Sequence, residues 1–95
     1  MSKVELSPTI CVDHDKEKYH IEIELPGIRK SGINIEFGER SFCIRAEKSD
    51  IAYNACYTLA HPIKKNAVEA KFESGLLIIT APLKEALGGT KITVK

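Results

Sequence analysis

Tryptophan is absent from this 95-residue chain, and its three Phe and three Tyr side chains interleave with apolar rather than basic positions. That pattern offers single-stranded nucleic acid no stacking platform. Charge of one sign is lacking too. Fourteen basic and thirteen acidic residues leave a formal charge of +1, so no long-range field draws in nucleic acid or an anionic membrane. No apolar run approaches the ~20 residues needed to span a bilayer. The opening Met-Ser-Lys-Val-Glu-Leu-Ser-Pro carries no apolar signal-peptide core. The expectation is a soluble, cytoplasmic chain with neither nucleic acid nor membrane as a partner.

The motifs of chemistry are missing as well. Cys11, Cys43 and Cys56 are odd in number and far apart, and no C-x-x-C pair occurs, which removes support for a thioredoxin-like or structural-zinc reading. All three fall in strand-like patterns, where reduced thiols serve as small hydrophobes. His14, His20 and His61 do not fall at metal-ligand spacings; His14 and His20 would meet across a first hairpin near Asp13 or Glu22 as solvated polarity. Glu22 and Glu24 share a solvated face. Ser31, Ser41, Ser49 and Ser74 lie in turns or at strand starts, with no G-x-S-x-G. Gly88-Gly89 lacks the lysine and the helix of a phosphate loop. Neither an enzyme nor a cofactor or metal is expected.

What is present is alternation. Val68, Ala70 and Phe72 alternate with Glu69, Lys71 and Glu73, the period-2 signature of a strand with one buried face. Ser74-Gly75 supplies a tight turn, and an apolar run from Leu76 to Ala81 follows, closed by Pro82. A strand apolar on both faces must be covered twice or must offer one face to a partner. The same reading gives strands over Thr9 to Asp15, Tyr19 to Leu25, Gly32 to Phe37, Ser41 to Glu47 and Tyr53 to Leu59. Leu83 to Thr90 starts with helical flavour and breaks at Gly88-Gly89; Lys91 to Lys95 repeats apolar-polar-apolar. About seven short strands with no convincing helix predict an all-β, antiparallel two-sheet sandwich of immunoglobulin-like form. The organisation expected is a lead-in over residues 1–8, a sandwich over 9–82 and a tail over 83–95.

The motifs, in their order and spacing, resemble the α-crystallin domain of small heat-shock proteins. They are Leu25-Pro26-Gly27, the Ser41 to Glu47 strand ending in Ala-Glu, Tyr57 to Ile63, and A-x-x-x-x-G-x-L from Ala70 to Leu77. The resemblance implies an ATP-independent holdase that binds unfolded or partly unfolded clients through apolar surface and self-associates. It also implies that Ile92-Thr93-Val94 is a tail motif that docks into an apolar groove. Such a groove would lie between Ile33 to Phe37 and Val68 to Phe72, with Ile33, Ile35 and Val68 as contact residues beside Leu76 and Ile78 of the two-sided strand. Alternatively Ile92 and Val94 close the sandwich as a last strand. About five residues link Glu47 to Tyr53, too few at ~3.3 Å per residue to carry a strand across to a partner as the family's swapped dimer requires. The short loop is also similar to that of CS-domain co-chaperones, which would make the chain a monomeric adaptor for one defined partner.

Overall fold

A computed structural model describes residues 3–89 and 91–95; Met1, Ser2 and Thr90, the end of the segment read as briefly helical, lie outside the described residues. Eight strands are present: β1 (Val4–Leu6), β2 (Thr9–His14), β3 (Lys18–Glu24), β4 (Ile33–Phe37), β5 (Ser41–Glu47), β6 (Ile51–Thr58), β7 (Glu69–Glu73) and β8 (Leu76–Pro82). They form two four-stranded sheets, β1-β6-β5-β4 and β2-β3-β8-β7. All neighbours run antiparallel except β1, which lies parallel to β6 with Val4 opposite Ile51 and Leu6 opposite Tyr53. The all-β sandwich expected from the alternation is therefore the fold, with one parallel pair at an edge.

The central strands supply the core. Tyr19, Ile21 and Ile23 of β3 face inward with Leu77, Ile79 and Ala81 of β8, and Phe42, Ile44 and Ala46 of β5 meet them from the other sheet, all buried. Register makes the parity strict. Ile21 lies opposite Ile79 and Ile23 opposite Leu77, so Glu22 and Ile78 between them turn to the outer face. In the second sheet Phe37, Phe42 and Tyr57 sit side by side across β4, β5 and β6, with ring centroids 5.2 and 5.7 Å apart.

The turns follow from local chemistry. Ser74 and Gly75 both adopt positive φ (49° and 80°), the backbone of a type I′ hairpin turn, which matches the right-handed twist of the strands it joins. Its Gly75 carbonyl accepts a 2.7 Å hydrogen bond from the Leu25 N–H, tying this turn to the chain leaving β3. Gly32, just before β4, is required for a different reason: a Cβ there would sit 2.5 Å from the Glu47 carbonyl oxygen, too close for any side chain.

Beyond β8, the chain stays attached. Leu83 bridges to Ile63, the Leu87 N–H donates to the Lys16 carbonyl at 2.7 Å, and Leu87 packs on the core. No helix forms between Leu83 and Gly89. Nor is Lys91–Lys95 a final strand.

Candidate functional site

Only Ser7 and Pro8 separate β1 from β2, although those strands belong to different sheets. Two residues cannot cross a sheet, so the β1–β6 edge of one layer and the β2 edge of the other share a side of the sandwich. The opposite edges, β4 and β7, therefore share the other side. Among the described residues no strand pairs with the outer side of β4 or of β7, so both edges are open to an added strand.

Between these two edges the inner faces are incompletely closed. Ile33, Ile35 and Phe37 lie opposite the buried Ala46, Ile44 and Phe42, which fixes their side chains toward the other sheet, yet all three remain half-buried. On β7, Phe72 and Ala70 lie opposite the buried Leu77 and Ile79; Phe72 is half-buried, as is Val68 just before the strand, and Ala70 is exposed. An inward-facing alanine that water reaches marks an opening. Ile33, Ile35 and Phe37 on β4, and Val68, Ala70 and Phe72 at β7, thus lie partly uncovered along two edge strands on one side of the sandwich.

Of the five residues expected to line a groove between residues 33–37 and 68–72, Ile33, Ile35 and Val68 are half-buried against the core at these two edges. Leu76 and Ile78 are not. Because Leu77 and Ile79 face the core, strand alternation turns Leu76 and Ile78 to the outer face of β8. Ile78 lies there between Glu22 and Lys71, Leu76 between Glu24 and Glu73, and Ile78 keeps 39% of its surface exposed. Phe37, Ala70 and Phe72 share the inward parity of Ile35 and Val68 at these edges, as the period-2 pattern had put them. Of the tail motif, Ile92 is 74% and Val94 91% exposed, so neither is used to close the sandwich.

At one end of these two edges the chain is basic. β4 runs into Gly38-Glu39-Arg40, and β7 is preceded by Lys64-Lys65-Asn66; the Ile63 N–H donates to the Glu39 carbonyl at 2.8 Å, so the two segments touch. Around that contact opens a crevice of about 510 Å³ lined by Glu39, Ile63, Lys64, Lys65, Asn66 and Lys84. Lys84 donates to Glu39, and this bond, with the nearby charges of Lys65 and Arg40, holds the Glu39 carboxyl below its usual range. Arg40, Lys64 and Lys65 have no ion-pair partner among the described residues. Nothing in the alternation pattern pointed to this cluster, because its members come from three connections distant in sequence.

Three other groups of polar residues bear on function. Cys43 and Cys56 lie directly opposite in the β5–β6 register with Cα atoms 4.0 Å apart, and they form a disulfide, correcting the expectation of three reduced thiols; Cys11 is free and exposed. His20 pairs with Asp15 at 3.0 Å rather than with His14, which instead packs edge-on against Tyr19 and His61. The His20 bond, with the Glu17 and Lys18 backbone N–H groups, holds the Asp15 carboxyl well below the ordinary range. No group of three or more His, Cys, Asp or Glu that could hold a metal occurs among the described residues. Finally, Lys3, Glu5, Arg45 and Glu47 form a chain of ion pairs of 2.7 to 3.7 Å over the outer face of Ala52, strapping β1 to its sheet.

This geometry can be set beside known proteins. Small heat shock protein C2 of Rickettsia felis is 28% identical over 106 residues, a match covering 95% of this chain and 69% of that protein. Heat shock protein 16 of Schizosaccharomyces pombe is 26% identical over 99 residues, covering 85% and 69%. In three dimensions, heat shock protein 16.0 from Schizosaccharomyces pombe superimposes with a TM-score of 0.77 at 24% identity, over 96% of this chain and 77% of that one. A small heat-shock protein from Xylella fastidiosa gives 0.73 at 16% identity, over 95% and 97%. The resemblance to small heat-shock proteins thus extends along the chain in sequence and in fold. The CS-domain resemblance is found too, since a family model described as the PIH1 CS-like domain matches residues 10–84. On that match the chain belongs to the PIH1 CS-like domain family, with a sandwich it shares with the small heat-shock proteins.

Proposed function

We propose that the chain is a small-heat-shock-protein-like holdase that keeps partly unfolded proteins from aggregating, without ATP, by taking extended segments into the cleft between β4 and β7. The half-covered row Ile33, Ile35 and Val68, beside the exposed Ala70 and between two unpaired strand edges, carries this reading. An unfolded chain exposes alternating apolar side chains and unsatisfied backbone groups, and such a cleft accepts both at once. Ile92-Thr93-Val94 has the apolar spacing of such a segment, so self-association through the tail uses the same cleft, though more weakly than clients do. Leu76 and Ile78 form a separate, smaller apolar spot. The function is binding rather than catalysis, and its proposed setting is the cytoplasm, to be checked by cell fractionation.

A heat-stressed client followed by light scattering tests the reading. Full-length protein in molar excess suppresses the scattering, and Ile35→Lys or Val68→Asp removes the suppression while leaving far-UV circular dichroism unchanged. No suppression at any excess sinks the proposal. It would leave the second reading, a monomeric adaptor for one defined partner, which is favoured by the match to the PIH1 CS-like domain and by the Lys48–Asp50 turn, too short to exchange a strand.

A further inference from the structure

We infer that the cleft selects extended apolar segments flanked by acidic residues, and that the chain's own tail is a poor occupant. The inference rests on the β4–β7 cleft being a binding site. Its new element is the charge at one end. Where β4 stops and the approach to β7 begins, Lys64, Lys65 and Lys84 line one crevice, and Arg40 adds its charge near the Glu39 carboxyl. Against these four cations stand Glu39, which is bonded to Lys84, and Glu85, which lies near Lys84. The excess is two positive charges, larger than the +1 of the whole molecule. The other acids near the cleft point elsewhere. Glu36 on β4 and Glu69 and Glu73 on β7 alternate with the inward-facing residues and so face the outer surfaces, where Glu73 is also paired with Lys71 at 3.1 Å.

The cations are also held in place. Ile63 N–H donates to the Glu39 carbonyl, Lys64 N–H to the Pro82 carbonyl at 2.8 Å, Lys84 N–H to the Pro62 carbonyl at 2.9 Å, and Leu59 N–H to the Arg40 carbonyl at 2.7 Å. The backbone at these residues is thus fixed by hydrogen bonds, while the basic side chains project into solvent. A segment lying along the cleft must end over this crevice, and its flanking residues then sit within the screening length of about 8 Å at physiological salt. The chain's tail, Lys91-Ile92-Thr93-Val94-Lys95, brings a lysine at each end of its apolar pair. It has the right apolar spacing and the wrong sign. Opposed rim charges set association rate and partner choice more than they set contact area. The occupant that fits is therefore an acidic-flanked segment of a different protein.

The test uses two labelled peptides on the full-length protein, Asp-Ile-Thr-Val-Asp and Lys-Ile-Thr-Val-Lys, each extended by neutral residues, with binding read by fluorescence anisotropy. At 50 mM salt the acidic-flanked peptide binds roughly tenfold more tightly, as expected for rim charges at low screening, and the gap closes at 1 M salt, where the screening length is about 3 Å. The double variant Lys64→Glu/Lys65→Glu reverses the order, while Lys64→Gln/Lys65→Gln abolishes the gap at an unchanged melting temperature. If both peptides bind equally and neither responds to salt, the selection is overturned and the cleft reading survives. If neither peptide binds and Val68→Asp changes nothing, the cleft itself is overturned and the selection with it.

Discussion

Adjacent isoleucines on β8 give the sharpest test of the fold. Ile79 is fully buried opposite Ile21, whereas Ile78, one residue earlier, keeps 39% of its surface exposed on the opposite face. Replacing either by alanine removes three carbons. At about 0.8 kcal/mol per buried carbon, the Ile79→Ala transfer loss is about 2.4 kcal/mol. A cavity among Tyr19, Ile21 and Phe42 adds to it, so a total of about 3 to 4 kcal/mol is expected. Ile78→Ala leaves no cavity because water fills the space, and its side chain is only partly covered, so about 1 kcal/mol is expected. For a domain of this length 1 kcal/mol corresponds to roughly 4–8 °C, so Ile79→Ala should melt at least 12 °C below the parent and Ile78→Ala well under 10 °C below it. The assay is thermal and urea unfolding by far-UV circular dichroism, with tyrosine fluorescence as the second probe, since the chain has no tryptophan. Equal losses at the two positions would refute the β8 register, and with it the placing of Leu76 and Ile78 outside the cleft.

The remaining predictions concern β1 and the three cysteines. Lys3 and then Arg45 hold the Glu47 carboxyl below its usual range. A depressed folded-state value means that the stabilisation is present above the unfolded-state value and is lost as pH falls through the folded one. Amide exchange at Val4, whose N–H donates to the Asp50 carbonyl, should therefore accelerate on acidification through the carboxylate range, while Ile79 stays protected; equal acceleration at both sites would refute the strap. Separately, iodoacetamide should label one cysteine, Cys11, in the native unreduced protein and three after reduction and unfolding. Three labels without a reductant would refute the Cys43–Cys56 bond.

The strands were legible because each carries its own alternation: Ser41–Glu47 is recovered to the residue, and β3, β4 and β8 to within one. Features that live in register or between elements were not. Val4-Glu5-Leu6 is too short to show a period, and its parallel partner lies more than forty residues away. The disulfide was within reach of counting: outward from the Lys48–Asp50 turn, Glu47 meets Ala52 and four further steps bring Cys43 opposite Cys56. Starting β6 at Tyr53 instead of Ile51 hid that register. The cleft needed one fact that no strand pattern contains, namely which edges share a side, and the two-residue Ser7-Pro8 link supplies it. The basic end needed the fold itself, because Glu39, Lys64 and Lys84 meet only through turns.

The lysine-flanked tail has a consequence for how copies of this chain meet. Tail and cleft are different patches, so a tail-to-cleft contact between two molecules is directional, and each addition leaves a fresh tail and a fresh cleft exposed. Such contacts grow into open filaments unless the rotation per step closes a ring. Like charge at both patches acts as a brake on that growth, released as salt rises. If the cleft selects by charge as proposed, the molecule at physiological ionic strength is held back from polymerising on itself, and its cleft is left open to other chains.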